Sequence, residues 1–230
     1  MPATPIRVQQ FLQNLPLFGE LTADEIDRLA AATAQVRATS GTLLFRRGDP
    51  CTGFHVIVYG QIKLALAGRD GSEKVVEVLG PGQSFGEAVM FLERPYVVFA
   101  EALTDSLLLF IGKAALLAEI ERNAKFARRM LAGLAMRLHR LMSDLEAYSL
   151  KSGTQRVIGY LLRDAPEEAA PGMPFDIELA TSKGVLASRL NITREHFSRI
   201  LHELSSAGFI EVHGRHVSVL DLAKLRAYTP

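Results

Sequence analysis

The sequence predicts an α+β chain in three parts: a strand-rich N-terminal domain, one long helix, and a C-terminal helix-turn-helix with a hairpin wing. Three observations predict it. Short apolar, often β-branched runs punctuated by glycine fill residues 40–111. A proline-free stretch, 113–150, carries its apolar residues at helical spacing. Beyond it, two short helical patterns flank the tight turn Asn191-Ile192-Thr193, and two alternating segments flank His213-Gly214-Arg215. The boundaries that follow are 1–112, 113–150 and 151–230.

Composition fits this plan. A chain of 230 residues holds two ordinary domains, and 48% hydrophobic residues can bury real cores. A formal net charge of +1 neither requires nor forbids nucleic acid, so local charge must decide. A single cysteine, Cys51, excludes internal disulfides and a cysteine-ligated iron–sulfur cluster within one chain. No long uninterrupted apolar run predicts a membrane span. The start, Met1-Pro2-Ala3-Thr4-Pro5, lacks the basic-then-apolar order of a secretory signal, so a soluble, cytoplasmic protein is expected. Enzyme signatures are missing: no Walker-type glycine loop, no His-rich metal spacing, no Gly-x-Ser-x-Gly elbow.

In chain order, residues 8–15 predict a short amphipathic helix. Thr22-Ala23-Asp24-Glu25 has capping-box spacing ahead of a second, with Ile26, Leu29 and Ala30 on one face. Strands are expected at 42–45, 54–59, 62–66, 74–79, 97–102 and 107–111, with Asp70-Gly71 as a hairpin signal. Such short, evenly spaced strands predict an antiparallel sandwich or barrel. The long helix follows over 113–150. In its second half Leu131, Leu134, Leu138, Leu141, Leu145 and Tyr148 alternate steps of three and four, a heptad seam that asks for a second helix and hence a homodimer. Residues 149–154 are the expected hinge, where Gly153 can take dihedrals other residues avoid. A helix over 154–162, a proline-rich loop over 166–174 and a strand over 175–179 complete the approach to the DNA-binding region.

Residues 182–190 predict the first helix of the motif, beginning at Ser182 and Lys183. Asn191 suits a left-handed turn, and Thr193 can cap the next helix, 194–205. Phe197, Ile200, Leu201 and Leu204 form its buried stripe. Arg194, Glu195, Ser198, Arg199 and His202 are left on the outer face, mostly in the N-terminal half that such motifs place in the major groove. Arginine grips guanine O6 and N7 with two hydrogen bonds, and glutamate accepts from the cytosine amino group. The wing offers Arg215 to a phosphate. From Leu179 onward Lys183, Arg189, Arg194, Arg199, Arg215, Lys224 and Arg226 face only Glu195, Glu203, Glu211 and Asp221, which suits double-stranded DNA.

With these elements in this order, nearly the whole chain resembles the cyclic-AMP receptor / fumarate-nitrate-reduction (CRP/FNR) family of bacterial transcription regulators. The resemblance implies a cupin-like β-roll of the cyclic-nucleotide-binding type, a long dimerising helix and a winged helix-turn-helix. Glu195-His196-Phe197-Ser198-Arg199 matches the family's Glu-x-x-Ser-Arg pattern for TTGAT-type half-sites. It thus implies that Glu195, Ser198 and Arg199 read bases, that a two-fold dimer reads a palindrome, and that RNA polymerase is a partner. The finer resemblance is to the nitric-oxide-responsive dissimilatory nitrate respiration (DNR-type) branch. Phe85-Gly86-Glu87-Ala88-Val89-Met90-Phe91 is similar to that branch's Glu-Ala-Met-Met-Phe segment, and Tyr148-Ser149-Leu150-Lys151 is also similar.

The effector stays open among three kinds. The resemblance favours haem binding nitric oxide, with His55, His139 and Cys51 as weak ligand candidates. Phe85, Val89, Met90, Phe91, Leu131 and Leu134 can line a pocket between roll and helix, or be plain core. Cyclic AMP is the alternative: Gly86, Glu87 and Arg94 match the family's ribose and phosphate contacts. However, Pro95 supplies neither the hydroxyl nor the backbone N–H expected beside the arginine. Glu87 and Arg94 can equally form a structural ion pair. A third possibility is some other effector, or none. A cyclic-nucleotide-binding interaction module with no DNA role is the alternative of another class.

Overall fold

The computed structural model describes residues 6–19, 21–68, 71–163, 165–166 and 174–228. Asp70 of the expected hairpin, residues 167–173 of the expected loop and the first five residues lie outside the described ones. The chain forms two compact units, Met1–Arg140 and Leu141–Pro230, whose boundary falls inside one helix.

The first unit opens with α1 (Val8–Gln13) and α2 (Ala23–Ala31). Thr22 and Glu25 form the expected reciprocal box at the start of α2. Two four-stranded antiparallel sheets follow. One has the order β1 (Thr33–Ala38), β8 (Ser106–Gly112), β3 (Gly53–Tyr59), β6 (Ser84–Phe85); the other β2 (Leu43–Phe45), β7 (Phe99–Ala102), β4 (Ile62–Ala67), β5 (Glu73–Leu79). Phe45, Ile57, Ile62, Leu64, Phe85, Ala100 and Leu108 form the core between them. The reverse face of the first sheet packs Phe54, Val56, Leu109 and Ile111 against Leu12, Phe18, Ile26, Leu29, Leu116, Phe126 and Met130 of the helical layer. Each fully buried Phe or Leu contributes about 1.5–3 kcal/mol. Covering both faces explains why β3 and β8 read as continuous apolar runs rather than alternating ones. Short α3 (Glu87–Phe91) sits between β6 and β7.

Three features depart from the sequence expectation. β1 was not foreseen, although it pairs along its whole length with β8, from Thr33 opposite Ile111 to Ala38 opposite Ser106. It is an edge strand in which only Ala38 is buried, so it carries little apolar signal. The stretch 113–150 is two helices, α4 (Lys113–Arg122) and α5 (Ala124–Leu150). Asn123 breaks it with extended dihedrals, φ −126° and ψ 98°. Its side-chain oxygen accepts from the N–H groups of Lys125 and Phe126, capping α5, while its amide donates to Glu25. The strand expected at 97–102 shortens to Phe99–Ala102.

The second unit holds the end of α5, α6 (Gly153–Leu161), β9 (Phe175–Glu178), α7 (Lys183–Arg189), α8 (Arg194–Ser206), β10 (Ile210–His213), β11 (His216–Val219) and α9 (Leu222–Ala227). β9, β11 and β10 form one antiparallel sheet with β11 central. Val157, Leu161, Leu186, Phe197, Ile200, Leu204, Val217 and Leu222 are among the residues of its core. Gly153, expected to use dihedrals that other residues avoid, has no positive φ. It is the first residue of α6, capped by Ser152 and Gln155. A Cβ there would lie 3.1 Å from His196 Cε1, so close approach to α8 is what calls for glycine.

Candidate DNA-reading face and sensor site

α7 and α8 are joined through Leu190, Asn191, Ile192 and Thr193, with Asn191 at φ +57°, the left-handed conformation its short polar side chain tolerates. Thr193 Oγ1 accepts from His196 N–H at 3.1 Å, so α8 starts on a defined cap. Phe197, Ile200, Leu201 and Leu204 are all buried, which fixes the helix by its inner stripe. Thr193, Arg194, Glu195, Ser198, Arg199 and His202 are all exposed on the opposite side. Arg199 has only the edge of an ion pair, 4.0 Å from Glu203 on the next turn, with both side chains mostly in solvent. The face is thus an apolar-anchored helix whose N-terminal half presents donors and acceptors.

Two expected DNA residues are also bound within the fold. Ser182 caps α7, accepting from Val185 N–H at 3.3 Å, and stays exposed beside half-buried Lys183. Arg215, expected to meet a phosphate, is half-exposed and bonded within the fold. Its guanidinium donates to the carbonyls of Leu179, at 2.8 and 3.0 Å, and Ala180, at 3.1 Å, with Glu178 3.7 Å away. It fastens the wing to the strand that enters α7.

The residues singled out as a sensor pocket are not brought together. Phe85 belongs to the core between the sheets, with Val89 packed against it, whereas Met90 belongs to the helix-facing core on the other side. Leu131 is 64% exposed, while Leu134 is half-buried. Arg94 is exposed. Glu87 is buried, but its carboxylate pairs with Arg137 of α5 at 2.9 Å rather than with Arg94; the same guanidinium holds Glu77 at 2.6 Å. Gly86 takes φ +97° ahead of α3.

Of the three ligand candidates, His139 is exposed on α5. Cys51 donates its thiol to the carbonyls of Gly53 and Gly86, at 3.2 and 3.5 Å. His55 is the buried one. Its imidazole stacks on Phe85 at 4.9 Å and meets Phe110 at 5.0 Å and Phe45 at 6.2 Å, and Nδ1 has no hydrogen-bond partner among the described residues. Burial lowers its pKa to about 4, so the ring is neutral near pH 7. Among the described residues no group of three His, Cys, Asp or Glu is placed to hold a metal ion by itself.

Two family models match this chain: a cyclic nucleotide-binding domain over residues 35–123 and a Crp-like helix-turn-helix domain over 155–228. The "Cyclic AMP receptor protein" of Thermus thermophilus is 30% identical over 215 residues, covering 93% of this chain and 96% of that protein. This chain belongs to the CRP/FNR family of transcription regulators. Within the CRP/FNR family, the solved structure of DNR from Pseudomonas aeruginosa is 34% identical, covers 98% of this chain and 100% of that one, and gives a TM-score of 0.52. FixK2 from Bradyrhizobium japonicum, 20% identical over 86% of this chain and 98% of its own, shares the fold with a TM-score of 0.73.

As a CRP/FNR regulator the chain combines a β-roll sensor domain with a DNA-binding helix-turn-helix, and the family consists of regulators rather than enzymes. Among its described residues no helix is long and apolar enough to cross a membrane. Four residues that matter to this architecture carried no motif in the sequence. Arg137 holds two carboxylates on the roll. His196 packs on Gly153. Arg156 donates to carbonyls of the turn between α7 and α8, and Arg189, at the end of α7, donates to Asp144 of α5. Only Arg189 stood out beforehand, and then merely as one basic residue among several.

Proposed function

We propose that this chain is an effector-controlled homodimer that reads a TTGAT-type palindrome. The observation that carries the DNA reading is the exposed trio Glu195, Ser198 and Arg199 on the N-terminal half of a helix anchored by four buried apolar residues. Arg199 would take the guanine O6 and N7 and Glu195 the cytosine amino group, while Ser198 suits either partner. The outer rows of α5 support the dimer. Leu131, Leu138 and Leu145 are 58–64% exposed and Leu141 is 42% exposed, an apolar seam that a second α5 would cover. Tyr148, assigned to the seam, is half-buried and turned into its own DNA-binding unit. Two copies on a two-fold axis would set the recognition helices about 34 Å apart, one turn of DNA. RNA polymerase is the protein partner this reading implies.

For the effector we favour haem and nitric oxide. What fits is the donor chemistry of His55: a neutral imidazole with an unpartnered nitrogen, enclosed by phenylalanines. Haem, when bound, supplies an iron that takes up nitric oxide. The protein's part is to keep His55 unprotonated and water away from it. Leu131, half-buried Leu134 and the core residues Phe85, Val89 and Met90 are held apart here, so they would serve the site only after rearrangement. Cyclic AMP is the second reading, favoured by Gly86, Glu87 and the Thermus thermophilus relative. It requires Arg94 to turn inward and Arg137 to release Glu87. An effector shifts the DNA-competent population only by its differential affinity, and moving from 1:99 to 99:1 takes about 5.5 kcal/mol.

The test is fluorescence anisotropy of a labelled TTGAT…ATCAA duplex at one fixed salt concentration. The protein is titrated alone, with haem, with haem and nitric oxide, and with cyclic AMP. Tight binding by the nitric oxide form alone is the expected result. Equal binding by all four overturns effector control, and tight binding only with cyclic AMP overturns the haem reading.

A further inference from the structure

Three carbonyls where α7 ends and the turn towards the recognition helix begins are held by side chains from α5 and α6. A helix leaves its final C=O groups without intrahelical partners. Here they are those of Arg189, the last residue of α7, and Leu190, its C-cap, followed by Asn191 in the turn. The Tyr148 hydroxyl, on the last turn of α5, donates to Arg189 O at 2.5 Å. Arg156 of α6 donates to Leu190 O at 2.8 Å and to Asn191 O at 3.3 Å, and with its remaining nitrogen to Lys151 O at 2.7 Å. The Arg189 side chain closes the arrangement: one nitrogen donates to the Tyr148 hydroxyl, and the other meets the Asp144 carboxylate at 2.5 Å. Arg189 and Asp144 are about three-quarters and two-thirds buried, so salt screens this pair less than a surface pair. A guanidinium suits the task, because its planar fork can bond a hydroxyl and a carboxylate at once in fixed directions. Burial is the main cause that raises the Tyr148 pKa, so the hydroxyl keeps its proton.

We infer that Arg189 is a positioning residue for DNA reading: it bolts the turn of the helix-turn-helix to the last two turns of α5 through Asp144 and Tyr148. It is then unavailable as a phosphate contact, although its charge and place in the motif suggest one. Only Lys151 and Ser152 separate α5 from α6, and the Tyr148, Arg156 and Arg189 bonds bridge that gap. The end of α5, the start of α6 and the α7–α8 turn therefore move as one body. Residues 149–154, expected as a hinge, are the braced part of the molecule. The direction of α8 is set by the end of α5, so any twist of α5 below Asp144 reaches the base-reading side chains directly.

The experiment uses the full chain and, for its DNA arm, rests on the half-site proposed above. R189A is measured for affinity on the palindromic duplex across a salt series. The expected result is binding about tenfold weaker with an unchanged salt slope, restored in the exchange D144R/R189D. A phosphate contact would instead lower the slope by about one, and the exchange would not restore it. A second readout needs no DNA. Nitroxides on S149C and S206C in a C51S background, diluted into unlabelled chain, report the distance between the end of α5 and the end of α8. R189A should broaden that distance distribution, Y148F should broaden it partially, and D144R/R189D should narrow it again. If the wild type fails to bind the palindrome, the half-site reading falls and the distances still decide this one. Unchanged widths in R189A and Y148F, both folded by circular dichroism, overturn it.

Discussion

His55 carries a consequence that reaches beyond any ligand. Its ring is enclosed by Phe45, Phe85 and Phe110, and burial lowers its pKa from the ordinary 6.5 to about 4. Between those values the unfolded chain binds a proton that the folded chain refuses. Stability therefore falls as pH drops through that window and levels off below it. At pH 4.5 the loss from this residue is about 2–3 kcal/mol relative to pH 7. H55F keeps an aromatic ring but cannot titrate. The gap between its urea-derived stabilities at pH 7 and 4.5 should be smaller than the wild-type gap by about 2 kcal/mol, and an equal gap would show that His55 protonates freely in the folded state. Arg199 makes the opposite demand, since it stands mostly in solvent and, on the proposed reading, its value appears only on DNA. R199A should lose about 1–3 kcal/mol of discrimination between the palindrome and a scrambled duplex while folding normally. An unchanged affinity ratio would remove it from the base-reading set.

The helix-turn-helix was legible in the sequence because each of its devices is local: Asn191 in the turn, Thr193 as cap, and the Phe197, Ile200, Leu201, Leu204 stripe at helical spacing. The apolar row Leu131, Leu138, Leu141 and Leu145 is exposed on α5, and the proposed dimer bears a prediction there. A Leu138 pair brought under cover by a second α5 would contribute on the order of 3 kcal/mol or more, so L138E should raise the dimer dissociation constant about a hundredfold. Sedimentation equilibrium reads this directly, and an L138E protein that stays dimeric at low concentration would discard the seam. The misses share a cause, which is that tertiary partners decided them. Asn123 looks like one polar residue in a long helix until Glu25, 98 positions away in sequence, fixes its amide and frees its oxygen to cap α5. β1 exists because β8 offers a free edge, not because its own residues are apolar. The sensor set is dispersed for a related reason. Phe85 and Met90 stand five residues apart, yet α3 starts between them and sends them to opposite sides of a sheet.

Taken as a whole molecule, the chain is built from separate cores. No buried residue of the winged-helix cluster belongs to either cluster of the sensor unit, and the boundary between units crosses a single helix. Each unit thus has a buried core of its own. Breaking a helix between two packed ends costs little compared with either core, so two thermal transitions are expected at fixed protein concentration. Phe197 is fully buried at the centre of the DNA-binding core, and F197A should cost that unit about 3–5 kcal/mol. For a unit of this size each kilocalorie lowers the midpoint by about 4–8 °C, so one calorimetric transition should fall by at least about 12 °C while the other holds its place. A single transition displaced as a whole would mean that the two units fold as one, so that loss of one core unravels the other.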